Sequence, residues 1–149
     1  MIAFVTAGGG FLAAVLWFDL MFDVQVRGHG RAELPEPVLA SIAGYYARVT
    51  TAARPMNRLI ATVMLATLAA IVVEIAKADV APATAWVSLA LAAGPIGLVG
   101  ARTVPAAVRL GTRRDAPAEQ SALARSVCRE HVICLVSIGA LIVLQLASG

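Results

Sequence analysis

Four stretches of this chain, residues 2–24, 57–76, 83–101 and 129–147, are each apolar for close to the roughly 20 residues that a helix needs to cross hydrocarbon. In lipid no water bonds the backbone, so each crossing must satisfy its own N–H and C=O groups, and an α-helix does this within one segment. Composition agrees, because 60% of the 149 residues are hydrophobic and only 14% are charged, against about a quarter charged in soluble domains. Residues 1–149 therefore read as a single all-α domain, an integral membrane antiparallel four-helix bundle, with no internal repeat. The opening MIAFVTAGGGFLAAVLWF has no basic residue before Arg27, so a retained first span is expected rather than a signal peptide. Lys77 is the one lysine among many arginines, and with the abundant Ala and Val this suggests a GC-rich bacterial source.

Charge gives the direction. Arg27, Arg31, Arg48, Arg54 and Arg58 fall in or at the edge of the first long connection, and Arg102, Arg109, Arg113, Arg114, Arg125 and Arg129 do so in the second. By the positive-inside rule both connections face the cytoplasm, which puts both termini and the short AKADVAP turn outside an inner membrane. Within the first connection, VLASIAGYYARVTTAAR can form an amphipathic helix running to Pro55, which opens span two. In the second, PAEQSALARSVCREH can start at Pro117 and continue unbroken into span four. The bundle is thus expected to carry cytoplasmic amphipathic helical extensions. Span three contains GPIGLVG, where Pro95 predicts a kink. Ala93, Gly97 and Ala101 predict a small-residue stripe for helix packing, with a gating hinge as the alternative.

The segment WFDLMFDVQVRGH holds two aspartates one turn apart, so Asp19 and Asp23 share a helix face. Residues 2–18 cover about 25 Å at 1.5 Å each, short of a roughly 30 Å core. Asp19 therefore falls inside the hydrocarbon edge and Asp23 near the headgroups. His131, nineteenth from the other terminus, should lie at the depth of Asp19. A carboxylate in that position costs a few kcal/mol unless it finds a partner or a proton. The expected site places Asp19 as proton acceptor and His131 as proton donor or orienting partner. Asp23, with Arg58 or Arg129 and with Arg102 at the rim, would set the field and hold a polar head. Tyr45 and Tyr46 either anchor an interfacial helix or roof a cavity. The opposing reading is a hydrated helix end, with Arg27 completing an i, i+4, i+8 stripe.

Asp19, Asp23, Cys128 and His131 are metal-ligand types, and His131 could bind haem, but the Glu-x-x-His signature of di-iron bundles is absent. No metal site is assigned, and the cofactor stays open. Cys128, His131 and Cys134 on one helix cannot wrap a tetrahedral zinc. The two cysteines, about 9 Å apart along the axis, are too far apart to bridge. Glu74 is expected to pair with Lys77 near the outer surface. His29 reads as a solvated loop residue. Thr62, Thr67, Ser88 and Ser137 are too sparse for a proton path.

The short first span, the basic amphipathic connection and a last span entered through ARSVCREHVICL together resemble the anthrone-oxygenase-like group of small four-span membrane proteins. That resemblance implies a cofactor-light oxygenase acting on a flat aromatic, and it carries over no residue roles. From the residues themselves, the expected function is binding of a lipid-like or quinone-like small molecule in a polar pocket near the cytoplasmic leaflet. Proton-coupled redox, oxygenase or isomerase chemistry would suit that pocket. The alternatives are an accessory or assembly subunit of a larger membrane complex and a small ion or proton-coupled carrier. Membrane lipids and a hydrophobic small molecule are the expected partners, with a homo-oligomer or larger complex as further company. Nucleic acid is excluded because the basic residues lack interleaved aromatics and a soluble binding fold.

Overall fold

The computed structural model describes residues 1–30, 32–52 and 54–149, and of Arg54 the backbone only. Arg31 and the Arg54 side chain, counted above toward the first connection's charge, lie outside what is described. The elements are α1 (Ile2–Asp23), ending in a 3₁₀ turn (Val24–Val26), then α2 (Glu36–Ala47) and α3 (Arg54–Lys77). They continue with α4 (Pro82–Leu98), α5 (Val104–Thr112) and α6 (Pro117–Leu146). Four helical stretches are long and apolar enough to cross a membrane, Ile2–Val26, Pro55–Lys77, Pro82–Thr112 and Pro117–Leu146. The chain is an all-α four-helix membrane bundle. Pro82 and Pro117 stand at helix starts, where the missing N–H has no intrahelical partner to lose.

Two segments are π-helical, Arg48–Ala52 and Val99–Thr103. Each contains the residue four before a proline, Thr51 before Pro55 and Ala101 before Pro105. A proline ring clashes with the carbonyl at i−4 and offers it no N–H, and a wider turn relieves both faults without ending the helix. This is why span three does not stop near residue 101 as expected, but stays helical to Thr112. Gly28 and Gly30, at φ +85° and +54°, turn the chain out of α1 where an L side chain would be strained.

The amino group of Met1 lies 3.9 Å from Asp79 Oδ2, and Gly9 of α1 faces Ile142 of α6. Both termini and the α3–α4 turn therefore share one end of the bundle. The opposite end is capped by α2 and α5, which pack on each other and on the first half of α6. This cap has its own core, built around Leu39, Ile42, Leu110 and Val127, while Val5, Leu12, Ile71, Ile138 and Leu141 form the core between the spans. Accordingly α2 is not a helix lying free on a membrane surface. Phe4, Trp17, Leu65, Trp86, Val136 and Val143 face outward, as they should where the solvent is lipid.

The Ala93, Gly97 and Ala101 stripe is not packed against another helix among the described residues: Ala93 and Ala101 are exposed, and a Cβ on Gly97 would meet nothing within 4 Å. Close packing uses other glycines, Gly8 against Thr67, Gly9 against Ile142 and Gly111 against the backbone of Ala47. Helix α3 packs on α1 and α4 but stands off from α6. That gap is bridged by side chains at the terminal end and is occupied by a cavity toward the cap.

Candidate functional site

Asp23 closes α1 where the cap covers it, and its carboxylate is completely buried. Asp23 Oδ1 accepts the Tyr46 hydroxyl at 2.7 Å, and its Oδ2 lies 2.6 Å from His131 Nδ1. A carboxylate only accepts, so Nδ1 carries a proton and the ring is fixed with Nε2 on its other side. Nε2 lies 3.9 Å from Asp19 Oδ2, and Asp19 Oδ1 accepts the Tyr45 hydroxyl at 2.5 Å. The Tyr45 ring stacks on Phe22, with centroids 4.1 Å apart. Burial, then the charge of Asp23 beside it, pushes the Tyr46 phenol above its ordinary range; burial and the bond to Asp19 do the same for Tyr45. Both tyrosines therefore stay phenols and act as donors.

Asp19, Tyr45, Tyr46 and His131 line a cavity of about 660 Å³, within the size range of small-molecule sites. From Asp19 its wall runs back along α1 to Leu12, a distance of about 10 Å at 1.5 Å per residue. Over that length the wall is almost wholly apolar, with Ile60, Met64 and Ile138 opposite. Phe18, Met56 and Val108 line it and are themselves exposed, so the cavity has a mouth toward lipid. Both π-helical segments contribute to its wall, through Val49 and Thr50 and through Val99 and Thr103. The site is thus amphipathic, with a cluster of four polar side chains at one end of an apolar slot.

The structure brings together Asp19, Asp23, His131, Tyr45 and Tyr46. The pairing differs from the expected one, because His131 bonds Asp23 directly and Asp19 is the more distant carboxylate. Asp23 is not an exposed carboxylate at a helix end: Tyr46 and the cap core seal it. The stripe of Asp19, Asp23 and Arg27 is not a hydrated end either, since Arg27 alone of the three is exposed. Arg58 and Arg129 are exposed and pair with neither aspartate among the described residues. Arg102 turns instead to Glu130, with Nε 3.6 Å from Oε1. Cys128 and Cys134 are buried free thiols, and Cys134 lines the cavity. His29 packs its ring nitrogen against the Arg27 carbonyl in the loop, at 3.2 Å.

Glu130 was not foreseen. It is buried one residue before His131, accepting the Thr103 hydroxyl at 2.7 Å and the Ser126 hydroxyl at 2.9 Å. It thereby ties the second π-helical segment to α6. The signal available was its position four residues after Ser126 on one helix. Glu130→Ala leaves the buried Thr103 hydroxyl without an acceptor and should cost about 1–3 kcal/mol, read as a lower unfolding midpoint in detergent. Glu130→Gln, which keeps an acceptor, should recover most of the loss, and equal destabilisation by both variants would remove the tie as the cause.

Glu74 also departs from expectation. It does not pair with the exposed Lys77 but is completely buried, accepting from Gln145 Nε2 at 3.1 Å.

Comparison with protein-family models, with curated proteins and with solved structures returns no match. The chemistry of the site has to be argued from its own geometry. An imidazole fixed by a buried carboxylate, with its second nitrogen beside another carboxylate and a cavity, can accept or return a proton on a bound molecule.

Proposed function

We propose that this protein binds a lipid-like or quinone-like small molecule in the cavity between α3 and α6 and moves a proton on its polar head. The observation that carries this reading is the Asp23–His131 bond at 2.6 Å, made at the polar end of a slot that is mainly apolar. Asp23 orients the ring, and His131 Nε2 and Asp19 face the oxygen of the head, one giving and the other taking the proton. Tyr45 holds Asp19 in place. The apolar tail lies along Leu12, Met64 and Ile138 and enters through the lipid-facing mouth. The arginine-rich cap faces the cytoplasm, which puts the head near the inner leaflet. The resemblance to the anthrone-oxygenase-like group implies a flat aromatic head for the same slot.

Native mass spectrometry of protein purified in mild detergent, read together with its visible spectrum, tests this directly. A retained organic molecule is expected, with its occupancy reduced at least tenfold in Asp19→Asn while the variant stays folded. Undiminished retention in that variant would count against the pocket. Migration with a large partner and no bound molecule would favour an assembly subunit instead.

A further inference from the structure

At the terminal end of the bundle a second polar cluster is sealed from both lipid and water. Glu74 of α3, Ser88 of α4 and Gln145 of α6 are all completely buried. Gln145 Nε2 spends its two protons on Glu74 Oε2 at 3.1 Å and Ser88 Oγ at 3.0 Å. Two acceptor oxygens on the joined groups, Glu74 Oε1 and Gln145 Oε1, are buried without any partner. An amide oxygen and a carboxylate oxygen cannot satisfy one another, and a buried carboxylate with no cation costs several kcal/mol.

No cationic side chain reaches this cluster among the described residues. Lys77 on the same helix is exposed, and the amino group of Met1 lies against Asp79. From the helices packed here, α4 brings Ser88 and α6 brings Gln145. None of these groups carries charge.

A single proton resolves both oxygens. On Glu74 Oε1 it would have Gln145 Oε1, the unpartnered oxygen of the amide already bonded to Glu74, as its acceptor, and with Gln145 Nε2 still donating to Glu74 Oε2 the two groups would close a cyclic acid–carboxamide pair. We propose that Glu74 is a proton-binding site, held as the neutral acid by Gln145, separate from the Asp23–His131 site at the other end of the bundle. The bound proton makes the α3–α6 bridge a pair of neutral hydrogen bonds and leaves no charge between the helices.

Infrared spectroscopy of the full chain in detergent at neutral pH tests the proposal. A carboxylic-acid carbonyl band above the amide absorption, shifted in heavy water, should be present in the wild type and lost in Glu74→Gln. That variant should keep its unfolding midpoint, because its amide N–H replaces the acid O–H toward Gln145 Oε1. Gln145→Ala, which removes the hydrogen-bonding partner, should move the same band to higher frequency. The band should be the same in sodium, potassium or salt-free buffer. Loss of a carboxylate band instead of an acid band in Glu74→Gln would overturn the proposal, and so would an acid band abolished by sodium, which would make the ligand a metal cation.

Discussion

Asp23→Asn is expected to move the proton of His131 from Nδ1 to Nε2 and to disable the site while leaving the bundle folded. The amide can be placed in two ways. With its oxygen toward Tyr46, the phenol keeps its acceptor and the NH₂ group faces His131 Nδ1, which must then become the acceptor. With the amide turned over, Nδ1–H is kept but the buried Tyr46 hydroxyl loses its acceptor, at about 1–3 kcal/mol. The first arrangement wins by that margin. Nε2 then carries the hydrogen of the neutral ring and has no lone pair with which to take a proton from the cavity. The proposed proton transfer should fall by roughly 10²- to 10⁴-fold, the range general acid–base catalysis contributes. The stability loss should be only about 1–2 kcal/mol, because charge-assisted bonds give way to neutral ones rather than to nothing. The tautomer is measurable by nitrogen-15 NMR, where His29 is the one other histidine to assign. An unchanged tautomer in Asp23→Asn would remove Asp23 as the orienting group.

The second large effect concerns the cap. Helices α2 and α5 cross at Gly111, where an added Cβ would sit 2.8 Å from Ala47 N and 3.0 Å from its Cα. These are backbone atoms and cannot rotate away, so Gly111→Leu has to push the two helices apart. Overpacking typically costs 1–3 kcal/mol, and more when backbone must move. About 3 kcal/mol or more is therefore expected, measured as a fall in the unfolding midpoint in detergent. Tyr45 and Tyr46 ride on α2, so the same variant should loosen their bonds to Asp19 and Asp23 and lower retention of the bound molecule. Gly97→Leu, with open space at its Cβ position, is the control and should leave both readings near wild type.

The contrast between these two glycines shows what was legible in the sequence. The four crossings were, because lipid demands a length and a polarity that no other environment imposes. The continuous α6 was legible from Pro117 and the periodicity after it. The small-residue stripe in span three was legible as a pattern, but a pattern does not say which helix comes near, and among the described residues none does. The meeting of spans one and four near Asp19 and His131 followed from counting depth from each terminus. Depth alone could not choose between Asp19 and Asp23 as the histidine's partner. That choice was made by α2, which folds over Asp23 and brings Tyr46, and sequence periodicity placed α2 only as amphipathic. The arginines misled for a related reason: their positions in the sequence do not give their pairing, which depends on side-chain direction. Glu74 was hidden because its partner Gln145 lies 71 residues away and has no charge to advertise itself.

Helix α6 is a rod of 30 residues without a break. Near one end Ser121 accepts the Leu34 backbone N–H at 2.9 Å, and at the other Gln145 holds Ser88 and Glu74. The 24 residue steps from Ser121 to Gln145 span about 36 Å at 1.5 Å each. A shift of this rod along its axis would break anchors at both extremities together, so it acts as the fixed post of the assembly. Helix α3 leans on its neighbours α1 and α4 and, among the described residues, is hydrogen-bonded to this post at one place, Gln145 to Glu74. The cavity thus lies between a helix pinned at both extremities and one tied to it at the terminal end.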